Sequence, residues 1–317
     1  MAPQSFRVFA LAASLFAGGC AAPNYVIAPP QAAPGFAVPG RALTRHVVLV
    51  SIDGLRPDAI ATFDAPTLQR LIREGSFTLT ATTILPSKTL PSHTSMLTGE
   101  GPERHHVLWN NAATARMDEV EVPTIFGVSR GYGYRTAAFF SKSKFHPLQR
   151  PGTLDYSQAP GGWFGRWSGA RTASDVETHL RSSAPNVLFV HLSDPDRAGH
   201  SAGWMSREYG RGVADADAAV ARILAAAERA FGAGQYSVIV TADHGGHGHN
   251  HGSDDPRDVT IPWIAWGQGV TPGELRNASV RTMDTASTVV WLLGVPEPTD
   301  WLGSPVTAAF AATRAAD

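Results

Sequence analysis

Cysteine is almost absent from the sequence. The 317 residues contain one, Cys20, which excludes a disulfide framework and gives no basis for a structural zinc site built from thiolates. No sign of charge dominates either: 26 basic and 27 acidic residues leave a formal net charge of −1, so charge alone supports no nucleic-acid or membrane-surface reading. There is no internal repeat. After residue 45 no polar or proline-rich linker interrupts the chain, and residues 45–317 read as one domain. The apolar fraction, 43%, is that of an ordinary globular protein.

The one long apolar run is N-terminal. "MAPQSFRVFALAASLFAGGCAAP" places a positive charge at Arg7, an apolar stretch from Val8 to Phe16, and small residues up to Cys20. This is the layout of a secretory signal, too short to span a bilayer as a mature helix. It resembles a bacterial lipoprotein signal, in which Cys20 would become the lipidated first residue. Ala17 stands where that family most often has leucine, and plain secretion is the other reading. Residues 1–20 are therefore expected to be a signal and 21–44, rich in proline, alanine and glycine, a flexible tether. Either reading places the mature protein outside the cytoplasm: in the cell envelope or periplasm, touching the membrane only through a lipid on Cys20, or otherwise secreted.

Histidine is the residue present in unusual concentration. Four of the twelve fall within "TADHGGHGHNHGSDD", residues 241–255, together with three aspartates, and His105 and His106 form a further pair. Imidazole crowded against carboxylate is the composition of a metal or proton-transfer site.

From Arg45 onward, short apolar runs alternate with stretches of helical period. Residues 46–53, 134–141, 186–194, 236–245 and 261–267 read as strands; 66–74, 91–98, 122–130, 172–182, 206–231 and 284–293 read as helices. The strands are apolar on both faces, which predicts an α/β architecture with a central, mostly parallel sheet and helices on both faces. Gly210 and Gly212 weaken the first turns of the longest helix. Ligands of such sheets bind beyond the carboxyl ends of the strands. Asp53, Asp194, Asp196, Asp243 and His244 all fall at such ends, so three strands deliver polar side chains to one rim.

Asp53 follows the first strand in "SIDGLRPD", where Asp-Gly also suits a plain turn. In "SDPDRAGH", Asp196 and His200 are four residues apart, on one side of a helical turn, with Asp194 as the competing carboxylate. Asp243 and His244 precede His247, His249 and His251, and the glycines between them let the backbone return an imidazole to the site. His247 and His249 read as members of a flexible loop that scavenges metal without catalysis. Three carboxylates and three imidazoles suit zinc best, with Mn2+ or Fe as alternatives. "ILPSKTLPSHTSMLTG" offers a hydroxyl: Thr89 lies just ahead of a helix beginning near Pro91, where amides favour an anion. It could equally be a plain N-cap, and Ser87, Ser92 and Thr94 offer the same chemistry.

Taken in order, "VVLVSIDGLRPD", "PSKTLPSHTSMLTGEGPERHHVLWNN", "SDPDRAGH" and "TADHGGHGHNHG" with "IPWIAWG" resemble the alkaline phosphatase superfamily, and within it the type I phosphodiesterase/nucleotide pyrophosphatase branch. The resemblance spans about residues 46–294. It implies an alkaline-phosphatase-like fold and a two-zinc hydrolase of small-molecule phosphate esters. Thr89 would be the nucleophile, sharing one metal with Asp53, Asp243 and His244. Asp196, His200 and His251 would hold the second; His251 is matched because the family's late histidine precedes glycine, a form His247 shares. Asn110, with Asn111 one position away, matches an asparagine that hydrogen-bonds a phosphoryl oxygen. His106 stands where relatives usually have glycine. The implied chemistry is in-line displacement at phosphorus through a phosphothreonine, followed by hydrolysis.

Lys142 and Lys144, two apart in "FFSKSKFHPLQRPG", are expected to project together toward the phosphoryl group and neutralise the extra charge of a monoester or carboxylated phosphonate. Some superfamily relatives acting on monoesters or phosphonoacetate carry a Lys-x-Lys or Lys-x-Arg pair in a comparable place. "PGGWFGRWSG" has the composition of a recognition loop. Three readings stand: a zinc phosphodiesterase or nucleotide pyrophosphatase, a phosphomonoesterase or phosphonate hydrolase on the same metals, and a non-catalytic zinc-binding envelope lipoprotein. A sulfatase is disfavoured, because those relatives make formylglycine from cysteine or serine and this position is Thr89.

Overall fold

The structure, a computed structural model, describes residues 42–111, 120–162 and 165–311. The signal with Cys20, nearly all of the tether, and Trp163 and Phe164 of the glycine-rich loop lie outside the described residues.

In chain order the elements are β1 (Val47–Ile52), α1 (Pro57–Thr62), α2 (Pro66–Glu74), β2 (Ser76–Thr82), α3 (Thr89–Thr98), α4 (Pro102–His105), α5 (Ile125–Gly131), β3 (Thr136–Phe139), β4 (Tyr156–Gln158), α6 (Gly169–Leu180), β5 (Val187–Leu192), α7 (Asp194–Ala202), α8 (Arg207–Phe231), β6 (Ser237–Thr241), α9 (Pro256–Val259), β7 (Thr260–Gly267), β8 (Gly273–Glu274) and α10 (Asp284–Leu292). The strands form one sheet in the order β4-β3-β5-β1-β6-β7-β2-β8. Pairs from β4 through to β6 are parallel, and β7 runs antiparallel to both β6 and β2. Every residue of β1, β5 and β6 is buried, as expected of central strands covered on both faces. The long α8 packs against α2, α6 and α7, whereas α10 packs against α3 and α5, so two groups of helices cover the sheet.

Three local features depart from the sequence expectation for identifiable reasons. Strand β2 was not legible, because its buried residues include Ser76 and Thr78 while Phe77 and Leu79 are only half-buried. Helix α3 begins at Thr89 rather than near Pro91, and Pro91 is tolerated there because first-turn amides have no intrahelical acceptor. Gly210 and Gly212 stay helical because they admit close neighbours. A Cβ on Gly210 would lie 2.4 Å from the Phe63 ring, and one on Gly212 would lie 2.7 Å from the Asp194 carbonyl.

Candidate metal centre

Strands β5, β1 and β6 are parallel neighbours, so their carboxyl ends open on one rim. Asp53 follows β1 directly, Asp194 and Asp196 open α7 after β5, and Asp243 and His244 follow β6. A tight turn lets the three ends meet. Gly54 has φ of 72°, its N–H donates to Asp243 Oδ1 at 3.1 Å, and a Cβ there would stand 2.9 Å from Asp196 Cα. The Asp196 N–H donates in turn to the Asp53 carbonyl at 3.1 Å. Asp194 turns away to accept from Gly169 N–H at 2.7 Å, at the start of α6.

Two donor sets result. Asp53, Asp243 and His244 form one, and Asp196, His200 and His251 the other; within each set the donor atoms lie within 4.8 Å of one another. His247 and His249 are in neither. His247 Nδ1 is 2.7 Å from Asp258 Oδ1, and His249 Nδ1 is 3.2 Å from the His200 carbonyl. The three imidazoles of the sets are all anchored through Nδ1 by backbone carbonyls: His244 to Gly245 at 2.8 Å, His200 to His249 at 2.9 Å and His251 to Ser87 at 2.8 Å. A carbonyl only accepts, so Nδ1 carries the proton and Nε2 presents its lone pair to the centre.

The carboxylates complete the case for cations. Asp53 Oδ1, Asp196 Oδ1 and Asp243 Oδ2 are buried without a hydrogen-bond partner. Asp243 Oδ2 stands 3.3 Å from His244 Nε2, and Asp196 Oδ1 stands 3.2 Å from His200 Nε2 and 3.7 Å from His251 Nε2. Lone pairs facing lone pairs in a buried site need positive charge between them. The protein itself supplies one buried ammonium, Lys142, whose Nζ lies 2.5 Å from Asp53 Oδ2 and 2.6 Å from Asp196 Oδ2. Burial opposes ionisation of Asp53 and Asp196, yet Lys142 holds both well below the usual carboxylate range. Asp243 has no such partner, and burial together with the Asp53 charge pushes it well above that range. Burial and the neighbouring His244 hold His251 down at about 3. Mixed oxygen and imidazole donors in two clusters fit borderline divalent ions such as zinc.

Thr89 stands out among the hydroxyls considered. Its Oγ1 lies 3.4 Å from His244 Nε2, at the edge of the first donor set. Ser87, Ser92 and Thr94 instead donate to the carbonyls of Ser253, Asp243 and Leu90 at 2.7, 2.7 and 2.8 Å. Asn110 reaches the same corner: its Oδ1 accepts from Leu90 N–H at 2.9 Å and from Lys144 Nζ at 3.1 Å. The two lysines do not project together. Lys142 is extended and turns into the carboxylates, whereas Lys144 lies in a 3-10 turn, Ser143–Leu148, that rotates it toward Asn110. Burial and the Lys142 charge lower Lys144 to about 8.

A family model described as type I phosphodiesterase/nucleotide pyrophosphatase matches residues 47–256. The chain belongs to that family. Among curated relatives it is 23% identical to GPI ethanolamine phosphate transferase 1 of Candida glabrata, over 82% of this chain and 33% of that protein. It is 25% identical to a bis(5'-adenosyl)-triphosphatase of Xenopus laevis, over 65% of this chain and 48% of that protein. The chain thus spans less than half the length of these two relatives. Among solved structures it superposes on an inactive variant of murine ectonucleotide pyrophosphatase/phosphodiesterase 5 in complex with AMP, with a TM-score of 0.71 at 16% identity, covering 84% of this chain and all of that one. Wild-type alkaline phosphatase PafA matches with a TM-score of 0.70 at 13% identity, over 87% of this chain and all of that one. The fold is alkaline-phosphatase-like.

Within this type I phosphodiesterase frame, His106 has φ of 56°, the left-handed backbone that favours glycine, at the end of α4. Gly165 and Trp167 of the glycine-rich loop pair with the backbone of Ser143 and Ser141, which lays residues 165–167 along the Lys142 segment. Two residues beneath the site escaped the sequence reading, His93 and His191, both fully buried. The available signal was a histidine inside the otherwise apolar run "VLFVHL".

Proposed function

We propose that this protein is a two-zinc hydrolase of phosphate esters, a phosphodiesterase or nucleotide pyrophosphatase in which Thr89 is the nucleophile. The observation that carries the reading is the pair of buried donor sets, each with an orphaned carboxylate oxygen facing a lone-pair nitrogen, with the Thr89 hydroxyl beside one of them. Asp53, Asp243 and His244 would hold one ion with Thr89, and Asp196, His200 and His251 the other. When bound, the ions supply charge that favours the ionised hydroxyl and the departing oxygen. Thr89 attacks phosphorus in line, giving a phosphothreonine that water then hydrolyses. Asn110, its Oδ1 engaged by Leu90 and Lys144, keeps its amide N–H groups for a phosphoryl oxygen. GPI ethanolamine phosphate transfer and bis(5'-adenosyl)-triphosphate cleavage, named for the relatives, both act at phosphorus.

The placement of Lys144 beside Asn110 favours a second reading, hydrolysis of phosphomonoesters or phosphonates, whose added negative charge this ammonium would meet. We place the protein in the cell envelope, held by a lipid on Cys20 or released; no helix among the described residues is long and apolar enough to cross a membrane. Comparing p-nitrophenyl phosphate with bis-p-nitrophenyl phosphate as substrates of the zinc-loaded protein separates the two readings. A preference for the diester supports the first, and a preference for the monoester the second.

A further inference from the structure

Two imidazoles lie under the site without belonging to either donor set. His93 and His191 meet edge to face with ring centroids 4.8 Å apart. The backbone fixes the tautomer of each. The Ser141 N–H points at His191 Nδ1 from 3.3 Å, and an amide only donates, so Nδ1 is a bare acceptor and the proton sits on Nε2. The Ser141 hydroxyl shares that acceptor at 2.8 Å. His191 Nε2–H therefore donates to Asp53 Oδ2, 2.9 Å away. This is the reverse of His244, His200 and His251, whose Nδ1 atoms carry the proton. His191 cannot offer a lone pair to an ion from Nε2; it can only orient the carboxylate that does. His93 serves the nucleophile turn from the same layer, with Nδ1–H donating to the Thr89 carbonyl at 2.7 Å and Nε2 accepting from Ser51 Oγ at 2.8 Å.

At Asp53 the two oxygens are thereby divided. Oδ2 takes His191 and Lys142, while Oδ1, without a partner, faces His244 Nε2 at 3.4 Å. We propose that His191 is a positioning residue that presents Asp53 to one cation through a single oxygen, and so sets the affinity of the Asp53, Asp243 and His244 position alone. The inference rests on the two-zinc reading and adds a residue that it does not contain. Donors behind metal-binding groups typically change affinity by about 10- to 100-fold.

The test compares the full-length chain with His191→Leu, which fills the space without a donor, and His191→Gln, whose amide restores an N–H near the Nε2 position. Zinc retention is followed against a graded chelator. H191L is expected to release one zinc equivalent at about 10- to 100-fold lower chelator concentration than the wild type, with the second equivalent unmoved and H191Q close to wild type. An indifferent H191L, equal weakening of both equivalents, or an H191Q as impaired as H191L overturns the proposal. Should H191L fail to fold, the wild type decides through nitrogen NMR of its imidazoles. The expected result is a neutral His191 protonated on Nε2 before and after zinc addition, and a ring protonated on Nδ1 or bound to zinc overturns the assignment. A wild-type chain that retains no zinc overturns the two-zinc reading and this inference with it, whereas a zinc-binding wild type with an indifferent H191L overturns this inference alone.

Discussion

His244 and His251 stack face to face, ring centroids 3.6 Å apart and planes 10° from parallel, while their Nε2 atoms belong to different donor sets. The histidine-rich loop thus returns to the centre at His251. His251→Ala is expected to lose about one zinc equivalent after dialysis, because it removes a donor from a three-residue set. His247→Ala should keep both, since His247 is tied to Asp258. Metal analysis of the two variants checks this, and loss from the His247 variant instead would mean that the loop closes through the other histidine.

Gly54 sits where three strand ends converge, with positive φ and Asp196 Cα against the place a Cβ would take. Gly54→Ala must accept a left-handed backbone costing roughly 1–2 kcal/mol and displace α7 as well. A lower melting temperature and a loss of bound zinc are expected together. An alanine variant with the wild-type melting temperature and zinc content would contradict the turn.

Lys144 is lowered to about 8 by burial and by Lys142, so its positive charge is present below that pH and lost above it. In the monoesterase reading, kcat/KM for p-nitrophenyl phosphate should fall as pH rises through about 8. Lys144→Met should remove that limb of the pH profile and lower monoester kcat/KM by about 10- to 100-fold, the worth of a hydrogen bond to a charged group. A weaker effect on the diester is expected, and equal loss on both substrates would assign Lys144 to shaping the site rather than to reading charge.

Away from the centre, His105 and His179 are both lowered from 6.5 to about 4, chiefly by burial. His105 Nδ1 accepts from Val107 N–H at 3.1 Å, which fixes its Nε2–H on Ser95 Oγ at 2.9 Å. The unfolded chain takes up protons between these pH values that the folded chain excludes. Stability contributed by the neutral rings is therefore full above pH 6.5 and is lost as pH falls toward 4. Urea midpoints of the zinc-free protein across this range should decline, and His105→Gln should flatten the decline.

Much of this architecture was readable because the central strands are apolar on both faces and end in the residues of interest. Asp53, Asp196 and Asp243 announced one rim through position alone. Choosing Thr89 over Ser87, Ser92 and Thr94 needed either the family resemblance or the structure, since all four are hydroxyls on one short stretch and differ in what their side chains meet. The divergence of Lys142 and Lys144 was hidden because a two-residue spacing puts side chains on one face only in an extended chain, and here a 3-10 turn begins between them. His191 was visible as a polar residue in a buried strand, but its role depends on Ser141, fifty positions away. Strand β2 was obscured by Ser76 and Thr78, polar residues that face inward.

The most direct test of Thr89 as the nucleophile is hydrolysis of bis-p-nitrophenyl phosphate and p-nitrophenyl phosphate by zinc-loaded wild type and Thr89→Ala, with bound zinc measured on the same samples. Thr89→Ala is expected to lose turnover of both esters while retaining its zinc. Undiminished turnover in that variant would contradict Thr89 as the nucleophile.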